Sequence, residues 1–159
     1  MKTHFFSQQG YSLIEMMLIM ALLAVLTLSG GFVWQHYRQQ ARLLQAGQHI
    51  AAYLSRLQLH TTRGNHYCRI NVTTGLDGNL SGDCTSHPGV PLRFAAPLPD
   101  IRLEIAAPGY IGLRGLHHTA TPTHLALSNP AGEIKIIISG HGRMRLCSAK
   151  GRWSGIPLC

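Results

Sequence analysis

Residues 8–34 of the chain read QQGYSLIEMMLIMALLAVLTLSGGFVW, and this stretch decides the fold. No charged residue occurs from Met16 to Trp34, a run of 19 positions that is rich in Leu, Met, Ile and Ala. As an α-helix rising about 1.5 Å per residue, the run is roughly 28 Å long, close to the thickness of a bilayer's hydrocarbon core. We therefore predict a long N-terminal helix whose first half spans a membrane.

The residues before the apolar run do not form an ordinary secretory signal. A signal peptide places a small-residue cleavage site after its apolar core, whereas here the polar decapeptide MKTHFFSQQG ends at Gly10 and no Ala-x-Ala follows the run. Glu15 lies at the edge of the apolar segment, where an ionised carboxylate costs a few kcal/mol unless it is paired. The sequence thus predicts a cationic partner for Glu15.

QQG followed by YSLIE and a long apolar helix resembles the class III leader of type IV prepilins and type II secretion pseudopilins. The resemblance implies that a prepilin peptidase cuts after Gly10 and methylates Tyr11, which stands where most family members have Phe. It also implies that Glu15 neutralises the N-terminal amine of a neighbouring subunit during filament assembly, since each charge alone is costly in lipid. The alternative is an uncleaved helix with Glu15 at the membrane interface.

We divide the chain into a cleaved leader (1–10), a transmembrane and assembly half of the helix (11–35), an amphipathic half (36–60) and a globular β domain (61–159).

At 100° per residue the second half of the helix separates a polar line from an apolar one. The polar line consists of Arg38, Arg42, Gln45, His49, Arg56 and His60. The apolar side consists of Leu43, Leu44, Gly47, Ile50, Ala51, Leu54 and Leu57.

Beyond the helix the pattern changes to period two, which indicates strands separated by Gly- and Pro-containing turns. Strands are predicted at 67–72, 101–106, 124–128 and 133–139, with shorter candidates at 92–94, 110–113 and 143–147. Loops are predicted at 75–82, 86–91, 97–100 and 129–132. The result is an α+β protein, and the pseudopilin resemblance implies a β domain of two antiparallel sheets.

The four cysteines, Cys68, Cys84, Cys147 and Cys159, contain no CxxC pair and favour disulfides over a metal or redox site. Of the three possible pairings we favour Cys68 with Cys84 and Cys147 with Cys159, because each closes a compact local loop. Disulfides agree with the location that the resemblance implies. The resemblance implies a single-pass inner-membrane protein with its C-terminal domain in the periplasm. Once assembled in a pilus, the protein would be extracellular.

No motif in the sequence supports catalysis. The acidic residues form no catalytic pattern, no G-x-S-x-G occurs, and no phosphate-binding glycine loop follows a strand. The histidines lack the spacing of metal-binding motifs. We predict a protein that is not an enzyme and has neither cofactor nor metal.

The charge of the chain is concentrated near its C-terminus. The net charge is +8, yet only 13% of the residues are charged and 45% are hydrophobic, which excludes a disordered polycation. After Glu133 there is no acidic residue, and the five basic ones are Lys135, Arg143, Arg145, Lys150 and Arg152. The protein is therefore expected to meet an acidic partner in this region.

Arg143 and Arg145 project to one face of an extended segment, about 7 Å apart, which matches successive phosphates on a nucleic-acid strand. Gly142 would let the backbone approach closely, and a Cys147–Cys159 bridge would hold Lys150 and Arg152 near the same surface. Trp153 would either stack on a base or cover the sheet edge. An Arg-x-Arg strand can also be a solvated face.

Gly142-Arg143-x-Arg145 resembles the GRxR motif of FimT-type minor pilins, the DNA-binding subunits of type IV pili in naturally transformable bacteria. The resemblance implies sequence-independent binding of extracellular double-stranded DNA during DNA uptake. The DNA-binding residues would be Gly142, Arg143, Arg145, Lys150, Arg152 and Lys135. Further partners would be other pilins, the prepilin peptidase and, before assembly, the inner membrane. The alternative is a GspH- or FimU-like structural subunit that primes assembly of a pilus or a type II secretion pseudopilus without binding DNA.

Overall fold

The computed structural model describes residues 12–76, 78–85, 93–94, 100–151, 153 and 155–159, without the side chains of residues 28–30 and 32. One long helix, α1 (Leu13–Gly64), precedes the strands of this part of the chain. The strands are β1 (Tyr67–Val72), β2 (Leu80–Cys84), β3 (Arg102–Ile105), β4 (Tyr110–Arg114), β5 (Thr119–Ala120), β6 (Thr123–Asn129), β7 (Gly132–Ile138) and β8 (Met144–Ser148). The chain divides into two compact units, Met1–Tyr37 and Arg38–Cys159.

In the first unit, α1 exposes the large apolar side chains that the sequence places there, for example Leu13 and Met17. Among the described residues, no helix combines the length and the apolarity needed to cross a membrane. The predicted span over 16–34 includes residues 28–30 and 32, whose side chains lie outside the description, so it stays a prediction. Gly10 and Tyr11, the predicted cleavage and methylation residues, also lie outside the described residues.

In the second unit, α1 buries the predicted apolar side, including Leu43, Ile50 and Leu54, and exposes the predicted polar line. The helix continues to Gly64, four residues beyond the predicted end at 60. It ends where Asn65 takes a left-handed conformation (φ 52°) and the His66 amide donates to the Thr61 carbonyl at 3.0 Å. This is the C-terminal hydrogen-bond motif that a left-handed residue allows.

The strands form two four-stranded antiparallel sheets that surround one core with the second half of α1. The first sheet has the order β2-β1-β4-β5 and the second the order β3-β6-β7-β8. Along β7, Ile134, Ile136 and Ile138 are buried while Lys135 and Ile137 face outward, as period two requires. The α+β architecture predicted from the sequence is confirmed.

One predicted loop is wrong in its second part. Residues 75–82 were expected to form a loop because of their glycines, yet β2 begins at Leu80, whose side chain is fully buried. The strand is specified by pairing with β1, where Val72 lies opposite Leu80 and Cys68 opposite Cys84. The predicted loop at 86–91, most of that at 97–100 and residue 92 lie outside the described residues.

Both disulfides have the pairing favoured from the sequence, Cys68 with Cys84 and Cys147 with Cys159. The first joins β1 to β2. The second attaches the C-terminal segment to β8, where the Ser148 amide donates to the Pro157 carbonyl at 2.8 Å and the Cys159 amide to the Ser148 carbonyl at 3.1 Å. This segment covers one end of β8.

Two packing details of α1 bear on stability. At Gly47 the helix lies so close to the second sheet that an added methyl group would stand 2.6 Å from Cδ1 of Ile134. Tyr53 is half-buried with its ring 5.5 Å from that of Phe94, and burial raises the pKa of its hydroxyl above the ordinary 10.0.

Candidate nucleic-acid interface

The hairpin between β7 and β8 presents the arginine pair. The Gly142 amide donates to the Ser139 carbonyl at 2.9 Å, and the Ser139 amide donates to the Arg143 carbonyl at 3.0 Å. The hydroxyl of Ser139 also accepts a hydrogen bond from the Arg143 amide at 3.1 Å. With Gly142 at φ +72°, this is a three-residue hairpin loop closed by a left-handed glycine. The loop fixes the backbone of Arg143.

Gly142 itself faces the protein interior. It is buried, and a methyl group at this position would overlap the side-chain amide of Gln58 and the carbonyl oxygen of His118. The missing side chain of Gly142 thus makes room for the protein's own Gln58 and His118, and the close approach to DNA expected at this glycine stays a prediction. The close neighbours of this glycine are α1 and the 3₁₀ helix Leu116–His118, and its role is to let the hairpin turn against them.

The two arginines lie on the outer face of the second sheet. Arg143 precedes β8 and Arg145 lies within it, both exposed, while Met144 and Leu146 are half-buried on the opposite face. The alternation predicted from the sequence is confirmed. Two residues of extended chain separate the Cα atoms by about 6.6 Å. Within the described part of the chain, neither guanidinium forms an ion pair, so both charges are available to a ligand.

Neighbouring strands extend this outer face sideways. Arg145 lies opposite Ile137 on β7, which in turn lies opposite His124 on β6. Ile137 is 36% exposed and His124 is exposed. The arginine pair thus borders a shallow surface with an apolar centre and an imidazole on its far side.

Lys135 is less available than the arginines. Its ammonium nitrogen lies 3.5 Å from Oε1 of Glu133, and both side chains are only about one-third exposed (32%). A phosphate at Lys135 would have to compete with this carboxylate. The structure therefore places Lys135 on the outer face of the second sheet but with its charge already compensated.

Lys150 stands at the far end of β8. The strand from Arg143 to Ser148 covers about 16 Å at 3.3 Å per residue, and the Lys150 carbonyl accepts a hydrogen bond from the Ser148 hydroxyl at 3.0 Å. Only a ligand that extends along β8 could touch Arg143 and Lys150 together. Arg152 lies outside the described residues.

Trp153 covers the end of the second sheet. Its ring lies over Gly132, where an added methyl group would come within 2.8 Å of Cζ2, and it packs against the hydrophobic core. Of the two roles considered from the sequence, the structure favours covering the sheet over stacking on a base.

Exposed histidines also lie beside the hairpin. His117 and His118 are exposed and have left-handed backbones, at φ 65° and 54°. His118 is joined to α1 by a 3.2 Å contact between its Nδ1 and the Thr62 hydroxyl, and His141 is exposed in the hairpin loop.

The outer face of the first sheet also carries paired cations and rings that the sequence did not reveal. The guanidinium carbon of Arg69 lies 4.2 Å from the ring centre of Tyr110, and that of Arg114 lies 6.0 Å from the ring centre of Tyr67. Among the described residues, no group of three or more His, Cys, Asp or Glu side chains could hold a metal ion. The absence of a metal or cofactor stays a prediction.

Comparison with known families gives one match. Residues 6–30 match the family described as the prokaryotic N-terminal methylation motif. Comparisons with curated proteins and with solved structures found no match.

The matched motif, a long N-terminal helix and two small antiparallel sheets together support a prokaryotic prepilin of the type IV pilin-like class. Such a chain is expected to be processed by prepilin peptidase and to assemble with other pilins. Type IV pilins are generally structural proteins, which agrees with the prediction that this one is not an enzyme. The match ends at residue 30 and does not reach Arg143 and Arg145.

Proposed function

We propose that this chain is a FimT-like minor pilin that binds extracellular double-stranded DNA through Arg143 and Arg145 during natural transformation. The carrying observation is the pair of exposed guanidinium groups at the β7–β8 hairpin, which are free of ion pairs within the described residues. The Cα atoms of the two arginines are about 6.6 Å apart, which suits contacts to two neighbouring phosphates of one strand. Contacts to phosphates carry no base information, so the binding is independent of sequence.

The N-terminal half supplies anchoring and assembly in this proposal. The leader is cut after Gly10, the new N-terminus is Tyr11, and Glu15 in the first turn of α1 pairs with the amine of a neighbouring subunit. Before assembly the subunit is anchored in the inner membrane with its C-terminal unit in the periplasm, where the two disulfides are stable. In the assembled pilus it is extracellular.

A single subunit with two phosphate contacts binds weakly, with a Kd of about micromolar or higher at physiological salt. Copies within one filament raise the effective affinity when they reach the same DNA molecule. Lys150 adds a contact only for DNA that runs along β8, and Arg152 stays a predicted contact. Lys135 contributes least, because Glu133 lies 3.5 Å from it.

The decisive test measures binding of a fluorescent DNA duplex to the full chain in a non-ionic detergent at several salt concentrations. Arg143→Gln with Arg145→Gln is expected to reduce the slope of log K against log salt by roughly 1.8, about 0.9 for each phosphate contact. A matched control, Arg56→Gln with Arg102→Gln, removes two exposed arginines elsewhere and so has the same net charge as the first double variant.

Equal losses in the two double variants would show that net charge alone governs binding and would contradict the assignment. A wild-type chain that binds no DNA would favour the second candidate, a GspH- or FimU-like structural subunit of a pilus or pseudopilus. That candidate is supported by the methylation motif, which covers residues 6–30 and implies assembly rather than a ligand. Cells with Glu15→Ala test assembly separately, since the substitution is expected to abolish DNA uptake if uptake needs the filament.

A further inference from the structure

A cleft of about 360 Å³ opens where the end of α1 meets the first sheet. It is lined by Asn65, His66, Tyr67, Arg114, Gly115 and Leu116. Its floor forms because the Gly115 amide donates to the His66 carbonyl at 2.9 Å and the absence of a side chain at Gly115 lets the two segments touch. The cleft is therefore a built feature of the junction between α1, β1 and β4.

The walls of the cleft combine flat, apolar and cationic groups. The ring of Tyr67 stands 6.0 Å from the guanidinium carbon of the exposed Arg114, and Leu116 is 59% exposed. Aromatic rings and guanidinium planes are the groups on which unpaired bases stack. The side-chain amide of Asn65 offers both a donor and an acceptor to the edge of a base. None of the described residues that line the cleft is acidic.

The cleft lies close to the proposed phosphate contacts. Gly115 and His118 are separated by three peptide units, so their Cα atoms are within about 11 Å of each other. The carbonyl oxygen of His118 in turn lies against Gly142, which precedes Arg143, and the Ala120 amide donates to the Gly140 carbonyl at 3.0 Å. A strand of a few nucleotides can reach from one place to the other.

We propose that this cleft receives an unpaired base of the DNA whose backbone is held by Arg143 and Arg145. This inference rests on the proposed function and specifies its substrate, namely DNA with a single-stranded end or tail. Within an intact duplex every base is stacked and paired, and extruding one costs a few kcal/mol. A tail presents its bases without that cost, so tailed DNA binds more tightly than blunt DNA. An acidic protein segment would use Arg114 but would gain little from Tyr67 and Leu116.

The experiment compares three DNA ligands on the full chain in detergent. One is a blunt duplex, the second has the same duplex with a tail of three thymidines, and the third has a tail of three abasic residues that supplies phosphates without bases. The wild type is expected to bind the thymidine tail at least about fivefold more tightly than the blunt end, the factor given by one stacked base. The abasic tail is expected to gain much less.

The cleft variant is Arg114→Gln with Leu116→Ala, two exposed side chains, and it is expected to bring the ratio of tailed to blunt affinity close to one. Arg102→Gln with Leu59→Ala removes the same residue types elsewhere and is expected to keep the ratio. Tyr67→Phe retains the ring and is also expected to keep it.

Three outcomes would overturn the inference while duplex binding remains. The first is a wild-type ratio of tailed to blunt affinity near one, which would favour an acidic partner in the cleft. The second is an abasic tail that binds as tightly as the thymidine tail. The third is an unchanged ratio in the cleft variant. Absence of binding to every DNA would instead overturn the proposed function and this inference with it.

Discussion

Replacing Gly142 by Ala should destabilise the C-terminal unit far more than a glycine-to-alanine change usually does. The first cause is the backbone, since Gly142 has φ +72° and an L-residue in this region costs about 1 kcal/mol. The second is overlap, because the new methyl group would meet the side-chain amide of Gln58 and the carbonyl oxygen of His118. Forcing an extra carbon into such a packed position costs about 1–3 kcal/mol. Together the two effects predict a loss of about 2–4 kcal/mol.

Gly151 provides the matched control. It has nearly the same backbone conformation, φ +78°, but an added methyl group would meet nothing within 4 Å. Gly151→Ala should therefore cost only the backbone part, about 1 kcal/mol. For a unit of this size roughly 4 °C of melting temperature corresponds to 1 kcal/mol. The melting temperature should then fall by about 4 °C in the Gly151→Ala control and by about 8–16 °C in Gly142→Ala.

A second substitution separates the two obstacles at Gly142. Adding Gln58→Ala to Gly142→Ala removes the side-chain amide but leaves the His118 carbonyl in place, so part of the lost stability should return. Equal melting temperatures for Gly142→Ala and Gly151→Ala would refute the assignment of Gly142 to interior packing. They would return it to the role suggested by its place beside Arg143.

Three further predictions concern stability. Replacing Cys147 and Cys159 by Ser should lower the free energy of unfolding, measured in urea, by about 3 kcal/mol. The reason is that the disulfide closes a loop with a sequence separation of 12 and so restricts the unfolded chain. A loss below about 1 kcal/mol would contradict this. Gly47→Ala should cost about 1–3 kcal/mol by the same measurement, because its methyl group would lie 2.6 Å from Ile134, and unchanged stability would disprove the close approach. Burial raises the pKa of Tyr53 above 10.0, so its stabilisation is complete below pH 10 and is lost as the pH rises through the raised pKa. The Tyr53→Phe variant should therefore lose less stability than the wild type between pH 10 and 12. Parallel curves of unfolding free energy against pH for the two proteins would show that Tyr53 does not contribute to the pH dependence.

Local patterns were sufficient to predict much of the fold. The apolar side of α1 and the alternation in β7 depend on spacing within one segment, and both were predicted from the sequence. The beginning of β2 at Leu80 was not predictable in this way, because its residues include Gly82 and acquire strand structure only by pairing with β1. Neighbouring strands supply what the segment itself lacks.

The candidate site shows the same division. The exposure of Arg143 and Arg145 follows from alternation in an extended segment and was predicted. The cation and ring pairs of the first sheet were not, since Arg69 meets Tyr110 only through the register of β1 and β4. The packing of Gly142 against Gln58 was not predictable, because a glycine before two arginines has the same letters whether it faces a ligand or the protein interior. Only the turn geometry distinguishes these cases.

The position of the acidic residues matters more for the proposed interface than the net charge of +8. Oε1 of Glu133 lies 3.5 Å from Nζ of Lys135, and Oδ2 of Asp100 lies 3.9 Å from a guanidinium nitrogen of Arg42. A phosphate at either cation would therefore displace or share an existing partner. A phosphate at Arg143 or Arg145 displaces none among the described residues. Exposed ion pairs are individually weak, about 0–1 kcal/mol, but a DNA contact gains a similar amount for each charge. For the proposed interface, Glu133 and Asp100 thus make Lys135 and Arg42 weaker candidates for phosphate contacts than Arg143 and Arg145.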